Sequence, residues 1–475
     1  MSVVATILLL SAVGVTYLRL SQVASDRRAD LDSYSHLRIS RLIWQSKAIS
    51  AGYDCYYPGK SIPYSYPPLL HILLALFFRG QNSSAGRSFS IEMIWFGAII
   101  LGVVSVFGGS YSLVQAVVFS ALYVLTSLVN DDCNVITPRP IGMLIFALIV
   151  IGSAGALEGW EIQPQVLQVL LMTLLLFTHR MATQVLLSLV ISYSLIGVIL
   201  DINWWFVYNF GIAVVLASVV AGKLFFRVVK DHFMRLKLHI RHGDQWIGDA
   251  QFGDYKKILR MSPVLGLWLA YLWTSASVGQ FGINSLAQIP QMAIVVSLAL
   301  SVGWKWGSGE RHVIFASPII IYLVVPHLGE PLIASAGVLC AVIYLREWRK
   351  SIYVDQASGG LKLDSPNMKE LIKYVREGSP QRYLLIPDRT ITFVTMMTGK
   401  VFYSGGHSSM AVAFDRQMIK SALNDPPTLR RQISKIGPEA IIFRKTKILP
   451  EPDLVIPPNY LSVFSNSEYT VFHHS

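Results

Sequence analysis

Charge is scarce in this chain: 14% of its 475 residues are Asp, Glu, Lys or Arg, 53% are hydrophobic, and the mean hydropathy is +0.49. Soluble globular chains carry roughly a quarter charged residues, so the deficit excludes an ordinary soluble enzyme. Cysteine is nearly absent. Cys55, Cys133 and Cys340 form an odd, scattered set without CxxC spacing, which removes a disulfide framework and a thiolate metal site. A basic patch interleaved with aromatics on a soluble module is also missing, so nucleic acid is no partner. The net charge of +12 points instead to the positive-inside rule or to anionic headgroups and phosphates.

Apolar runs of bilayer length fill the first three quarters of the chain. They lie near residues 3–20, 91–107, 111–129, 140–157, 164–178, 182–200, 204–222, 263–281, 288–304, 312–328 and 331–346. They predict a polytopic α-helical membrane protein of about eleven transmembrane helices. The first run lacks a positive n-region and reads as a retained helix, not a cleaved signal. Leu69 to Phe78 is apolar but short, and reads as interfacial or re-entrant, with a short transmembrane helix as the alternative. Residues 1–346 form the membrane domain, with a first external loop at 21–90. Residues 347–475 have the texture of a soluble α/β domain. There, helices are expected at Met368–Gly378 and Pro427–Gly437 and strands at Arg382–Pro387 and EAIIFRK. Thr392 to Gly406 is expected to turn at Gly399 into a second strand, and a hairpin at Tyr460–His474 to turn near Asn466-Ser467.

Asp26 to Arg41, DRRADLDSYSHLRISR, concentrates the polar chemistry. It holds Asp30, Asp32, Tyr34, His36 and four arginines, among them Arg38. If its tail is helical, Asp32 and His36 share a face one turn apart. The plainer reading is a juxtamembrane charge cluster at headgroup level. Further polar islands are Asn130 to Pro140, with Asp131 and Asp132, and His179-Arg180, which is either a connecting loop or an intramembrane polar pair. Arg311 follows Glu310 and an aromatic belt at the start of an apolar run, so it is either an interface anchor or a bidentate phosphate ligand. His71 reads as a packed or interfacial histidine. The basic amphipathic segment 223–260 reads as a helix on the membrane surface or a cap over a site. His407, beside two glycines, lacks P-loop spacing and reads as a turn.

Taken in order, these segments resemble the GT-C class of membrane glycosyltransferases, which move sugars from polyprenyl-phosphate carriers. The carrying motifs are Asp32-x-Tyr34-x-x-x-Arg38 after the first helix, Tyr66-Pro67-Pro68-Leu69 before a short apolar helix, Asp131-Asp132 followed by Thr137-Pro138-Arg139, and GERHVIFASPIII at Gly309–Ile321. The resemblance implies Asp32 as catalytic carboxylate, supported by Asp30 and His36. It implies Arg38, Arg311, His179 and Arg180 near the donor phosphate. Mg²⁺ or Mn²⁺ is the candidate cofactor, held by Asp32, Asp131 and Asp132, since hard cations prefer carboxylate oxygens; some members of the class work without metal. Implied partners are membrane lipids, a polyprenyl-phosphate-linked sugar and an acceptor that is a glycan, lipid or protein. The Trp-Trp-Asp motif with which oligosaccharyltransferases read the asparagine sequon is missing from 347–475, so transfer to asparagine is not implied.

With Leu69–Phe78 non-spanning and the N-terminus in the cytosol, every polar loop and the C-terminal domain fall on the outer side, as a lipid-linked transferase requires. Those loops also hold almost all the Lys and Arg, against the positive-inside rule. The rival function is a non-catalytic subunit, lipid-binding scaffold or transporter with this architecture. A transporter should show polar residues at mid-span, whereas here they gather at helix ends.

Overall fold

A computed structural model describes residues 2–24, 31–49, 64, 66–81, 84–129, 136–156, 164–200, 204–242, 255–278, 288–303, 309–357, 365–386, 391–403, 425–445 and 451–475. Helix α1 (Val3–Ala24) buries Ala5, Leu8, Ala12 and Val15, a helical stripe, against α5 (Leu113–Val129) and α15 (Glu330–Ala357). Gly337 on α15 faces Leu8, where a Cβ would collide with the leucine side chain, so the two helices approach closely at that point. Opposite that stripe, Leu10, Val13 and Tyr17 are exposed, as are Phe96, Ile99 and Val103 on α4 (Ser84–Phe107). Apolar side chains on the outside as well as the inside are what a lipid-bathed bundle requires.

A second group of helices packs beside the first: α6 (Arg139–Ile151, continued by a π-helical turn to Ala156), α7 (Pro164–Leu176), α8 (Arg180–Leu200), α9 (Trp205–Ala221) and α13 (Ile289–Gly303). By length and composition three helices, near residues 3–21, 88–107 and 180–199, are able to cross a membrane. A fourth span appears if α9 and the helix after it are counted together, although they bend by 117°. The other apolar helices singled out are 10–17 residues long. The chain is thus an integral membrane protein, but the expected count of about eleven spans is not reached among the described residues. The run near 312–328 shows why. It divides into a 3₁₀ helix, Gly309–Phe315, and α14, Ser317–Val324, because Pro318 in the first turn of α14 cannot extend a helix from upstream. Arg311 therefore sits on a 3₁₀ turn instead of starting an α-helix.

Between bundle and C-terminal domain lie α2 (Leu31–Ser46) and α3 (Leu69–Phe78), packed on each other. Ten residues make α3 about 15 Å long, too short to span. The C-terminal sheet has the order β2-β1-β3-β5-β4, with β1 (Arg382–Ile386), β2 (Val401–Tyr403) and β3 (Ala440–Arg444) parallel. The hairpin β4 (Tyr460–Ser465) and β5 (Tyr469–His474) adds antiparallel strands. Helices lie at Pro366–Glu377 and Pro426–Ile436, the latter stopped by Gly437 at φ +59°. The helix Ile391–Thr398 leads through Gly399, φ +75°, into β2, and it packs directly on α2. These elements match those expected from the pattern, and they seat the sheet domain on α2.

Candidate functional site: a histidine and arginine cluster

The polar ends of the helices meet at one end of the bundle. Arg19, late in α1, donates to Leu128 O at 3.1 Å and lies 4.4 Å over the Tyr344 ring, which sets the ends of α1 and α5 and the middle of α15 at one level. The Ile136 N–H donates to Ser33 Oγ at 3.0 Å and the Thr137 N–H to Ser90 Oγ at 3.1 Å, so the segment leading into α6 is bound to α2 and α4. The Leu69 N–H donates to Phe177 O at 2.9 Å, which ties the first turn of α3 to the turn before α8.

Inside this frame His36 enters from α2 and His71 from α3. His36 Nδ1 and His71 Nε2 are 2.8 Å apart, and Tyr64 Oη is 2.6 Å from His71 Nδ1. His71 is wholly buried. Burial first, and the neighbouring His36 second, hold its imidazole well below the ordinary value. The Tyr66 ring packs on both imidazoles, with centroids 5.6 and 5.4 Å away, and carries the Arg180 guanidinium 5.2 Å from its own centroid. Tyr34, also on α2, is buried, which pushes its phenol up to about 12.

His179 stacks on Phe315 at 6.4 Å, and its Nδ1 is buried with no hydrogen bond among the described residues. Burial, then Arg139, Arg180, His312 and His36 in that order, push this imidazole well below its ordinary value. Gly142 permits the approach of α6: a Cβ there would sit 3.2 Å from Ala182 Cβ and 3.5 Å from His179 Cβ. Arg180 pairs with Asp231 at 2.6 Å, with side chains 12% and 9% exposed. Asp231 comes from α10 (Lys223–His242), the basic amphipathic helix, which leaves α9 through Gly222 at φ +48°. Gln184 joins His232 of α10 to His312 of the 3₁₀ turn, at 3.3 and 3.0 Å. On the outer side of α10, Lys223, Phe226, Lys230, Phe233 and Lys237 are exposed, in keeping with a surface helix whose inner side caps the cluster.

Of the residues singled out in the sequence, His36, His179 and Arg180 come together. Asp32 lies in the first turn of α2, one turn before His36 and on its face, with its side chain outside the described residues. Asp30, Asp131, Asp132 and His407 also lie outside them. Arg38 is two residues past His36, about 200° around the helix. Its Nε is buried without a hydrogen bond among the described residues, and its charge, after burial, lowers the neighbouring Arg41 guanidinium. Arg311 is half-buried and directly precedes His312. Among the described residues no three His, Cys, Asp or Glu side chains gather as a metal site. A cavity of about 400 Å³ opens toward the opposite ends of α6, α7 and α9, lined by residues including Ser153, Gln168, Trp205 and Asn209. None of the singled-out residues lines it.

His71, Tyr64, His312 and Asp231 were not foreseen as members of one cluster. A signal for His71 was present: it is the only polar residue in LLHILLALFF and shares the buried face with Leu70, Leu74 and Ala75. A buried imidazole needs partners for its nitrogens.

The fold, a helical membrane bundle carrying a small C-terminal sheet domain, is similar to that of solved structures of the GT-C class. The crystal structure of ArnT from Cupriavidus metallidurans bound to undecaprenyl phosphate is similar with a TM-score of 0.56, at 12% identity over 99% of this chain and 98% of that one. The apo oligosaccharyltransferase of Archaeoglobus fulgidus gives 0.58, at 12% identity over 93% of this chain and 69% of that one. The archaeal oligosaccharyltransferase AglB from Archaeoglobus fulgidus, in complex with an inhibitory peptide and a dolichol-phosphate, gives 0.54 at 9% identity over 91% and 69%. No protein-family model and no curated protein sequence matches the chain.

Proposed function

We propose that this chain is a glycosyltransferase that moves a sugar from a polyprenyl-phosphate-linked donor to an acceptor on the outer face of a membrane. The observation that carries the reading is the cluster of Arg139, Arg180, His36, His179 and His312 beside the turn that bears Asp32. Cations and imidazole N–H groups in a buried setting suit a phosphate leaving group. Both the ArnT and the AglB structures hold polyprenyl-type phosphates.

In this reading Asp32 takes the acceptor hydroxyl proton as its oxygen attacks the anomeric carbon. The bond from that carbon to the phosphate oxygen breaks, and the electron pair leaves with the lipid phosphate, whose charge Arg180, Arg139 and His179 absorb. Arg38 and Arg311 would serve as auxiliary phosphate contacts. Mg²⁺ or Mn²⁺, were it held by Asp32 with Asp131 and Asp132, would add charge neutralisation at the phosphate. The polar residues gather at helix ends, which favours a transferase over a transporter.

The test is transfer of label from a polyprenyl-phosphate sugar by the full chain in lipid nanodiscs. Asp32→Asn is expected to abolish transfer with unchanged expression and melting; retained activity in that variant ends the assignment. The outer-face placement predicts that Ser462→Cys, on the exposed side of β4, reacts in intact cells with a membrane-impermeant maleimide when Cys55 and Cys133 are both replaced by Ser. Labelling only after lysis would reverse the topology.

A further inference from the structure

We propose that Tyr64 and His71 are positioning residues that fix His36 as a hydrogen-bond donor at Nε2, assigning it to the anion and not to the acceptor. The role given to His36 rests on the glycosyl-transfer reading; the tautomer does not. The relay Tyr64–His71–His36 has contacts of 2.6 and 2.8 Å and admits two directions of donation. A neutral imidazole carries one N–H and one acceptor nitrogen, so the direction at one end fixes the other.

Intrinsic acidity decides between the two directions. A phenol O–H is a far stronger donor than a neutral imidazole N–H, and an imidazole nitrogen is a far stronger acceptor than a phenol oxygen. Tyr64 therefore donates to His71 Nδ1 at 2.6 Å in preference to Pro67 O, which lies at 3.5 Å, the far limit of a hydrogen bond. His71 is buried throughout, and a charged imidazole there would lack solvation, so it stays neutral and carries its proton on Nε2. That proton is donated to His36 Nδ1. With Nδ1 occupied as an acceptor, neutral His36 carries its own proton on Nε2.

A histidine held in this way offers an N–H, not a lone pair. The surroundings agree. The shared Tyr66 ring sets Arg180 against the same imidazoles, and His179 and Arg139 lie nearby. A proton acceptor among cations would be poorly placed, while an N–H donor adds to their hold on phosphate oxygens. The base duty then falls to Asp32 alone, one turn earlier on the same face. His71 touches neither substrate in this account; it acts through His36.

The experiment has two arms on the full chain in lipid nanodiscs. In the first, solid-state ¹⁵N spectra of histidine-labelled protein are compared with those of His36→Gln to identify the His36 signals. His36 is expected with an unprotonated Nδ1 and a protonated Nε2. In Tyr64→Phe and His71→Phe its signals should divide between both tautomers. A protonated Nδ1 in the wild type, or no response to either variant, overturns the proposal. In the second arm, His71→Phe should lower kcat roughly 10- to 100-fold with KM nearly unchanged. His71→Gln, whose side-chain N–H can still donate to Nδ1, should recover part of the loss. The double variant His36→Gln/His71→Phe should be no slower than His36→Gln alone. Additive losses, or equal losses in His71→Gln and His71→Phe, would make His71 merely structural and overturn its role. If the wild type transfers no sugar, the glycosyl-transfer reading fails, while the first arm still decides the tautomer.

Discussion

Gly80 shows at the scale of one residue how tightly the candidate site is held. It follows α3 at φ +62°, a conformation that side-chain-bearing residues rarely adopt. It also lies so close to α2 that a Cβ would collide with the backbone of Ser40 and Arg41. Backbone cannot yield as a flexible side chain can. Gly80→Ala is therefore expected to destabilise the protein by about 2 to 3 kcal/mol, through strain and forced separation of the two helices. Gly109 is the control: its φ of +71° is similar, but open space surrounds its absent Cβ. Gly109→Ala should cost about 1 to 2 kcal/mol, the backbone strain alone. Thermal unfolding of both variants in one detergent measures the difference, and equal costs would mean that α2 and α3 are not in backbone contact. Because His36 and His71 ride on these two helices, Gly80→Ala should also lower activity more than Gly109→Ala.

Among the elements, α10 is the one whose placement the sequence left most open. Its basic, amphipathic pattern fits a free surface helix and a cap over a site equally well, since periodicity records which face is apolar but not what covers it. Asp231 decides the matter in the structure, as a lone acid among Lys and Arg that turns inward to Arg180. The pair is largely removed from water, so loss of one partner strands the other. Asp231→Ala is expected to cost about 3 to 5 kcal/mol, whereas Arg180→Gln with Asp231→Ala should cost clearly less than the sum of the two single changes. A double-mutant cycle on urea or thermal unfolding reads this coupling; simple additivity would leave α10 unclamped. The same logic explains what else was legible. The helix at α2, the short α3, the turn at Gly399 and the stop at Gly437 follow from local spacing and turn chemistry. The meeting of His36 with His71, or of Gln184 with His312, depends on long-range packing that no local pattern encodes. The break ahead of Pro318 was visible in principle, but an uninterrupted apolar run outweighed it.

For the whole molecule, two of the buried imidazoles couple fold stability to pH. His71 and His179 are both held well below the ordinary imidazole value of 6.5, chiefly by burial. In the unfolded chain each regains that value and takes up a proton as the pH falls past it, while the folded protein stays unprotonated at both rings. The unfolded state then binds more protons, so the stability present above about pH 6.5 declines as the pH is lowered toward the folded values. The melting temperature is thus expected to be flat from pH 8 to 7 and to drop between pH 6.5 and 5. The N-cap carboxylate of Asp425, held below its ordinary value by its hydrogen bonds to Thr428, acts in a separate window at and below about 3.8 and does not overlap. Replacing His179 by Phe, which keeps an aromatic surface against Phe315, should remove a large part of the drop, and adding His71→Gln should remove more, the remainder belonging to His473, whose imidazole burial also lowers. A drop of unchanged size in the double variant would assign the pH dependence to groups outside this cluster. Low pH should therefore loosen the end of the bundle where α2, α3 and α8 meet before it unfolds the sheet domain, and hydrogen exchange followed segment by segment at pH 5 and 7.5 would register that order.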